Sequence, residues 1–265
     1  MKIDRVVFCL NSSPTYSFMW DIVSEAYAKN TDFIPTLIFC GTEEELHKEV
    51  QSDFGEVFLM PRYEEVICNR NLDWSAPWTA FWAMANMFPD DVCLFSGIDE
   101  IPISDKLWNK ISEFPDDKYI VGLGPTPYSH DRCHIASGHN CAKGKVFKDV
   151  LEIGNELEAE LKDKWDNRFK LAEYITAWNM EKKGWWGLDE AIISNIMHNH
   201  PSVVFLDHGW VQENLQGRKI CRGSGFNYDV EKLKSKYYWT AHMPRPLSKR
   251  SNMKRVQRLL RDMEP

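Results

Sequence analysis

The N-terminal part of the chain contains three short runs rich in β-branched and aromatic residues: Arg5–Leu10 (RVVFCL), Phe33–Cys40 (FIPTLIFC) and Glu56–Met60 (EVFLM). Runs of this length and composition are typical of strands that are buried on both faces of a sheet. Helices are predicted between them, at 16–29 and 42–51. Strands that alternate with helices in this way indicate an α/β protein with a parallel sheet and right-handed crossovers.

Further helices and strands are predicted along the rest of the chain. The helix predicted at 42–51 opens with Thr42 and Glu45, the pattern of a capping box. Ser104 is the expected N-cap of a helix over Asp105–Phe114. The other expected elements are helices at 74–88, 144–153, 155–183 and 188–198, and strands at 92–95, 119–123, 135–141 and 202–206.

Composition excludes several classes of protein. The formal net charge of -7 argues against a general nucleic-acid binder, which would usually be basic. No apolar run approaches the ~18 residues of a membrane span, and the N-terminus lacks the pattern of a secretory signal. The 7 cysteines are odd in number and several lie in apolar runs, so we expect reduced core thiols and a cytoplasmic location.

The chain has 11 tryptophans, which is unusually many. Their flat apolar faces suit sugar rings and nucleobases, and they suit an ordinary core equally well.

An acidic segment follows the strand predicted at Val92–Phe95 (VCLF), within Ser96–Pro102 (SGIDEIP). Ligands of open α/β sheets bind outside the carboxyl ends of the strands, and Asp99 is expected there. Its carboxylate suits Mg²⁺ or Mn²⁺, ions that are commonly shared with substrate phosphates. The alternative is that Asp99 caps the next turn while Glu100 is solvated.

A second acidic segment, Asp189–Glu190, lies at the start of a predicted helix that follows Trp185, Trp186 and a glycine. One interpretation is that both carboxylates only complement the helix dipole. The other is that the tryptophans bind an acceptor sugar while a carboxylate acts as base on its hydroxyl.

The C-terminal segment from His242 is basic within an acidic chain. Arg245, Lys249 and Arg250 are candidates for neutralising a diphosphate, with His242 as a metal ligand. The alternative is a solvated basic tail.

The order of these segments resembles the GT-A family of nucleotide-sugar-dependent glycosyltransferases. Val92–Pro102 resembles their D-x-D region, and most closely the D-x-D-E-I-P form of β-1,4-mannosyl-glycoprotein N-acetylglucosaminyltransferase relatives. Ala136–Asn140 and Lys143–Phe147 resemble a mid-domain strand and helix that contact donor and acceptor, and Trp186–Glu190 resembles a later G-x-D-E segment. One departure is that Gly97 stands where the first aspartate of D-x-D is expected.

The resemblance implies a GT-A-like, Rossmann-type α/β fold, with a mixed, mostly parallel sheet flanked by helices. It implies one domain over 1–265, in which 1–103 binds the nucleotide-sugar and 104–265 the acceptor. It also implies a divalent cation, Mn²⁺ or Mg²⁺, on Asp99 and His242. The donor-binding residues that it suggests are Asn11, Ser12, Ser13, Gly41, Arg70, Gly97, Asp99, Gly138, His139, Arg245, Lys249 and Arg250.

The function expected on these grounds is transfer of a sugar from a nucleotide-sugar to a hydroxyl of a glycan or another acceptor. Asp189 or Glu190 would be the base of an inverting reaction, or would position the substrate in a retaining one. A sugar nucleotidyltransferase is one alternative, although Asn11–Pro14 lacks the glycines of a phosphate-binding loop. A non-catalytic carbohydrate-binding protein is the other.

Overall fold

The structure is a computed structural model that describes residues 1–264 with internal gaps. The gaps are 14, 17, 64–71, 123–125, 130–131, 135–137, 172–187, 198–199, 216 and 222–224, and for 72–73, 126–129 and 132–134 the backbone alone is described. Arg70, Trp185 and Trp186 therefore lie outside the described residues.

The described strands are β1 (Arg5–Asn11), β2 (Ile34–Cys40), β3 (Glu56–Met60), β4 (Val92–Phe95), β5 (Glu100–Pro102), β6 (Tyr119–Val121), β7 (Thr126–Ser129), β8 (Arg132–His134), β9 (Asn140–Lys143), β10 (Val203–Phe205), β11 (Lys219–Ile220) and β12 (Thr240–His242). The described helices are α1 (Met19–Asn30), α2 (Glu43–Glu49), α3 (Leu72–Met87), α4 (Lys106–Ser112), α5 (Gly144–Val150), α6 (Leu157–Asp166), α7 (Arg168–Leu171), α8 (Leu188–Met197), α9 (His208–Asn214), α10 (Val230–Lys234) and α11 (Arg250–Met263).

The main sheet has seven strands in the order β10-β6-β9-β4-β1-β2-β3. Its neighbours pair in parallel except around β9, which is antiparallel to both β4 and β6. The segment between β6 and β9 contains the antiparallel pair β7-β8. Antiparallel strands can be joined without a crossover, whereas parallel neighbours need one, so this connection suits the antiparallel pairing of β6 and β9.

A small sheet, β11-β12-β5, lies beyond the carboxyl end of β4. β12 runs antiparallel to β5, with His242 opposite Glu100, and it runs parallel to β11. This sheet joins the acidic segment to the C-terminal part of the chain.

Alternating residues of β1 enter two apolar layers, one on each face of the main sheet. Phe8 packs against Trp20 and Tyr27 of α1, with ring centroids 5.9 and 5.3 Å apart. Val7 faces the other layer, in which α3 is buried. This burial of both faces matches the run Arg5–Leu10, which is apolar at successive positions.

Most of the expected elements are confirmed, with shifts at their ends. The capping box of α2 is present: Glu45 N–H donates to Thr42 Oγ1 over 3.2 Å, and Thr42 N–H donates to Glu45 Oε2 over 2.9 Å. The strand expected at 135–141 is instead Asn140–Lys143 among the described residues.

The expectation that Ser104 caps α4 is wrong. Ser104 N–H donates to Trp239 O, so its backbone is bonded beside β12, and Asp105 takes the N-cap position without a side-chain cap bond.

The basic C-terminal segment is ordered rather than a solvated tail. It contributes β12 and α11, and Val256 and Leu259 of that helix are fully buried. Among the described cysteines, Cys9, Cys40, Cys93 and Cys141 are buried or half-buried, and they are free thiols. None of the described helices is long and apolar enough to cross a membrane.

Candidate active site

A cavity of about 180 Å³ opens at the carboxyl ends of β1 and β4. The two strands are parallel neighbours, with Val7 opposite Phe95, so their ends meet at one edge of the sheet. Predicted site residues from distant parts of the chain line this cavity: Asn11, Gly97, Asp99, Gly138, Asp189, Glu190 and Arg245. The structure therefore assembles much of the expected site in the place where open α/β sheets bind ligands.

Asp99 lies at the centre of a cluster of polar side chains. Its Oδ2 accepts hydrogen bonds from Arg245 Nε, over 2.7 Å, and from Arg245 Nη2. His242 Nε2 lies 2.6 Å from the same oxygen. The register of β12 on β5 produces this convergence, and Met243 N–H extends it by donating to Asp99 O over 2.7 Å.

The Asp99 carboxylate is ionised in these surroundings. Burial opposes its ionisation, but the hydrogen bond and charge of His242 and the charge of Arg245 outweigh burial and lower its pKa below the usual value. Asp99 is therefore a buried anion that binds the Arg245 guanidinium.

Arg245 is held from a second side by Tyr16. Its Nη1 donates to the Tyr16 hydroxyl, and the guanidinium carbon lies 4.4 Å from the centre of the tyrosine ring. Tyr16 also lines the cavity. Sequence reasoning missed this residue, because only a contact between segments 229 positions apart gives it a role.

Glu100 has its own cationic partner behind Asp99. Lys219 Nζ donates to Glu100 Oε1, and His139 Nε2 lies 2.8 Å from Oε2. Burial opposes ionisation of Glu100, yet the charges of His139 and Lys219 lower its pKa far below the usual value. Glu100 is thus a buried, paired carboxylate rather than a solvated one, and Lys219 is another residue that sequence reasoning missed.

His139 was expected to contact the donor. It is 2% exposed, and its ring lies 5.0 Å from that of Trp239 and beside Glu100. Gly138 lies next to it and does line the cavity. The structure therefore places His139 beneath the site, where it supports the acidic segment.

Asp189 and Glu190 reach the cavity from the first turn of α8. Asp189 is buried. Cys9 also lines the cavity, and burial, Cys40 and the charge of Asp189 together raise the pKa of its thiol. The two carboxylates thus lie near the end of β1, in the same cavity as Arg245.

Five other predicted donor residues are described but are not among the residues that line this cavity: Ser12, Ser13, Gly41, Lys249 and Arg250. Ser12 Oγ donates to Glu49 Oε1 over 2.6 Å, and Ser13 N–H donates to Glu49 Oε2 over 3.4 Å. Gly41 follows β2, and Lys249 and Arg250 are exposed at the start of α11. Donor binding by these residues stays a prediction.

The residues around Asp99 do not fit a divalent metal site. Within the described part of the chain, no group of three or more His, Cys, Asp or Glu side chains could hold an ion. Asp99 Oδ2, the oxygen nearest His242, is already bound to the Arg245 guanidinium. Gly97 lies beside this carboxylate, since a Cβ there would be 3.2 Å from Asp99 Oδ1, and it supplies no ligand.

Comparison with known proteins gives a likeness of fold. No protein-family model and no curated protein matches the chain. The galactosyltransferase LgtC, solved in complex with donor and acceptor sugar analogs, aligns over 98% of this chain and 95% of its own, at a TM-score of 0.50 and 10% identity. An active-site mutant of LgtC aligns over 97% and 95%, at a TM-score of 0.51 and 10% identity.

The glycosyltransferase GlyE of Streptococcus pneumoniae covers 91% of this chain and is itself covered over 54%, at a TM-score of 0.48 and 12% identity. The likeness to LgtC extends over nearly the whole of both chains. The expected GT-A-like fold, with a mostly parallel sheet flanked by helices, is thereby confirmed.

Proposed function

We propose that this chain is a glycosyltransferase that moves a sugar from a nucleotide-sugar donor to a hydroxyl group of an acceptor. One observation carries the proposal: a single cavity at the carboxyl ends of β1 and β4 contains both the Arg245–Asp99 pair and the carboxylates Asp189 and Glu190. A cation for the leaving diphosphate and a base for the acceptor are the two groups that this reaction needs.

The donor would lie across the ends of β1 and β4. Asn11, at the end of β1, is placed to contact the nucleoside, and Arg245 is placed to contact the diphosphate. Gly97 and Gly138 present backbone without side chains to the cavity, which leaves room for a sugar ring close to the chain. These placements retain four of the donor contacts that the sequence predicts.

The reaction would exchange one bond at the anomeric carbon for another. The bond from that carbon to the diphosphate oxygen breaks, and the acceptor oxygen bonds to the carbon. In an inverting reaction, Asp189 or Glu190 takes the proton of the acceptor hydroxyl. In a retaining reaction, these carboxylates would position the acceptor or stabilise the charge on the sugar.

The acceptor is proposed to be a glycan or another molecule with a free hydroxyl. LgtC was solved in complex with donor and acceptor sugar analogs. Because the fold is shared, we extend the proposal of a sugar acceptor to this chain. Trp185 and Trp186 precede α8 in the sequence, separated from it by Gly187, and remain the predicted acceptor platform.

Metal assistance, with Asp99 and His242 as ligands, is the cofactor prediction that the resemblance implies. Because the described residues around Asp99 do not fit a divalent cation, no step of the proposed reaction uses one.

The test is a panel of nucleotide-sugars incubated with candidate acceptors, once with chelator and once with Mn²⁺. Release of nucleoside diphosphate together with an acceptor heavier by one sugar residue is the expected result. The double variant Asp189→Asn/Glu190→Gln serves as the control and should release far less, which separates this chain from a contaminant.

Two other outcomes would contradict the proposal. Pyrophosphate release from a nucleoside triphosphate and a sugar phosphate would identify a nucleotidyltransferase. Sugar binding without turnover of any donor in the panel would identify a carbohydrate-binding protein.

A further inference from the structure

We infer that Arg245 is the fixed cation of this site and that the chain binds nucleoside diphosphates without a divalent metal. The inference rests on the proposed function and specifies how the donor is recognised. Its basis is the position of the guanidinium, on the carboxylate that would otherwise be the principal metal ligand.

The Arg245 guanidinium occupies the side of Asp99 on which a metal ion would have to bind. Three N–H groups, Arg245 Nε, Arg245 Nη2 and His242 Nε2, converge on Asp99 Oδ2. A divalent ion at this oxygen would have to displace them, and it would then lie next to a permanently charged guanidinium. Like charges at that separation repel strongly in a buried site.

Gly97 favours the same conclusion. An aspartate at this position would place a second carboxylate beside Asp99, because a Cβ there would lie 3.2 Å from Asp99 Oδ1. Two adjacent carboxylates would attract a divalent ion, whereas one carboxylate is matched by one guanidinium. Arg245 and His242 therefore pair the single carboxylate of Asp99 with protein groups.

Arg245 is held in place before any ligand binds. Asp99 binds one edge of its guanidinium, and the Tyr16 hydroxyl accepts from Nη1. The side chain is 24% exposed, so part of it still faces the cavity that it lines. Little side-chain entropy remains to be lost on binding, and further N–H groups of the fork are available to phosphate oxygens.

The charges in the cavity orient a ligand. Among the described lining residues, Arg245 is the one cationic side chain, while Asp99, Asp189 and Glu190 are acidic. A diphosphate therefore meets N–H donors at Arg245 and like charge on the α8 side, where the acceptor chemistry is proposed. The arrangement recognises a nucleoside diphosphate by its charge and places its sugar toward the carboxylates.

The experiment is calorimetric titration of the protein with uridine diphosphate and guanosine diphosphate, once in chelator and once in Mn²⁺. We expect the better of these ligands to bind with the same affinity, within about threefold, under both conditions. Arg245→Gln should weaken that binding by about 30-fold or more, as expected for loss of a charge-assisted contact. Arg245→Lys should recover part of the loss, since it restores charge without the planar fork.

Arg255→Gln is the matched control, because Arg255 is an exposed arginine of α11 that does not line the described cavity. It should bind nucleoside diphosphate like the parent protein. Thermal unfolding of each variant shows whether the fold is retained.

Binding that Mn²⁺ strengthens tenfold or more would overturn the inference while leaving the proposed function intact. Parental binding by Arg245→Gln would overturn it in the same way. If neither nucleotide binds, with chelator or with Mn²⁺, the inference is overturned. The panel of nucleotide-sugars then tests the proposed function separately.

Discussion

The dipeptide Asp-Glu occurs twice at the site, and its two copies have different surroundings. Asp99 and Glu100 follow β4, and each is bonded to a cationic side chain from a later part of the chain. Asp189 and Glu190 lie in the first turn of α8, where backbone N–H groups favour negative charge. The first copy therefore holds cations in place, whereas the second is proposed to accept a proton.

The largest effect is expected from removing the charge that holds Arg245. Asp99→Asn should lower transfer by about 100-fold or more, because a guanidinium displaced by about 1 Å no longer meets the diphosphate correctly. It should also lower the free energy of unfolding by about 1–3 kcal/mol, since a partly buried cation loses its partner. Steady-state transfer and urea unfolding measure the two effects.

Asp90→Asn is the matched control for Asp99→Asn. The Asp90 side chain is 88% exposed and lies before β4 rather than after it. Parental transfer by Asp99→Asn would mean that the first copy does not act in the site.

A change in the second copy should lower the rate of transfer without lowering the stability of the fold, whereas Asp99→Asn should lower both. Asp189→Asn is expected to lower the single-turnover rate at saturating donor by about 100-fold, through loss of the base, while nucleotide affinity and unfolding stay close to parental. Asparagine suits the first turn of a helix, so a purely structural Asp189 would tolerate the change.

Glu190→Gln is the companion variant in the same measurement. A parental rate in Asp189→Asn with a collapsed rate in Glu190→Gln would move the base to Glu190. Parental rates in both would remove the second copy from the chemistry.

Sequence patterns predict the local parts of this molecule well. The strands of the N-terminal half follow from apolar runs such as Arg5–Leu10, and the start of α2 follows from Thr42 and Glu45, because each pattern acts within a few residues. The carboxylates of the cavity could be proposed for the same reason: they stand beside element ends.

The partners of those carboxylates could not be predicted in this way. Arg245 reaches Asp99 across 146 positions and Lys219 reaches Glu100 across 119. Both contacts depend on β12 lying antiparallel to β5, and these strands are only three residues long. A three-residue strand has too little periodicity to be recognised, so the sequence showed a basic segment without showing which carboxylate it meets.

The Glu100 carboxylate gives a pH-dependent prediction. His139, Lys219 and His242 lower its pKa despite burial, so its charge stabilises the folded chain above its unfolded-state pKa of about 4.3. This contribution is lost as the pH falls from there toward the lower folded-state pKa. Glu100→Gln should therefore unfold about 3–6 °C below the parent at neutral pH, with a difference that shrinks below about pH 4.

Melting temperatures of both proteins from about pH 3, below the ordinary carboxylate pKa values, to about pH 8, well above them, check this prediction. Asp99, whose pKa is also lowered, remains in both proteins, and its contribution differs between them only because the Glu100 charge, which raises the Asp99 pKa, is absent from the variant. A difference that stays constant from neutral to acid pH would show that Glu100 contributes by packing rather than by charge.

The smallest effect is expected at Tyr16, which touches the first copy only through Arg245. Tyr16→Phe removes the hydroxyl that accepts from Arg245 Nη1 and keeps the ring 4.4 Å from the guanidinium carbon. The guanidinium stays charged and bound to Asp99, so its orientation alone is loosened. Loss of one hydrogen bond of about 1 kcal/mol corresponds to about fivefold weaker binding of nucleoside diphosphate.

Calorimetric titration measures this affinity. Tyr237→Phe is the control, because Tyr237 lies outside the described cavity lining. A loss as large as that of Asp99→Asn would mean that Tyr16 contacts the ligand itself, and parental affinity would mean that Asp99 alone fixes Arg245.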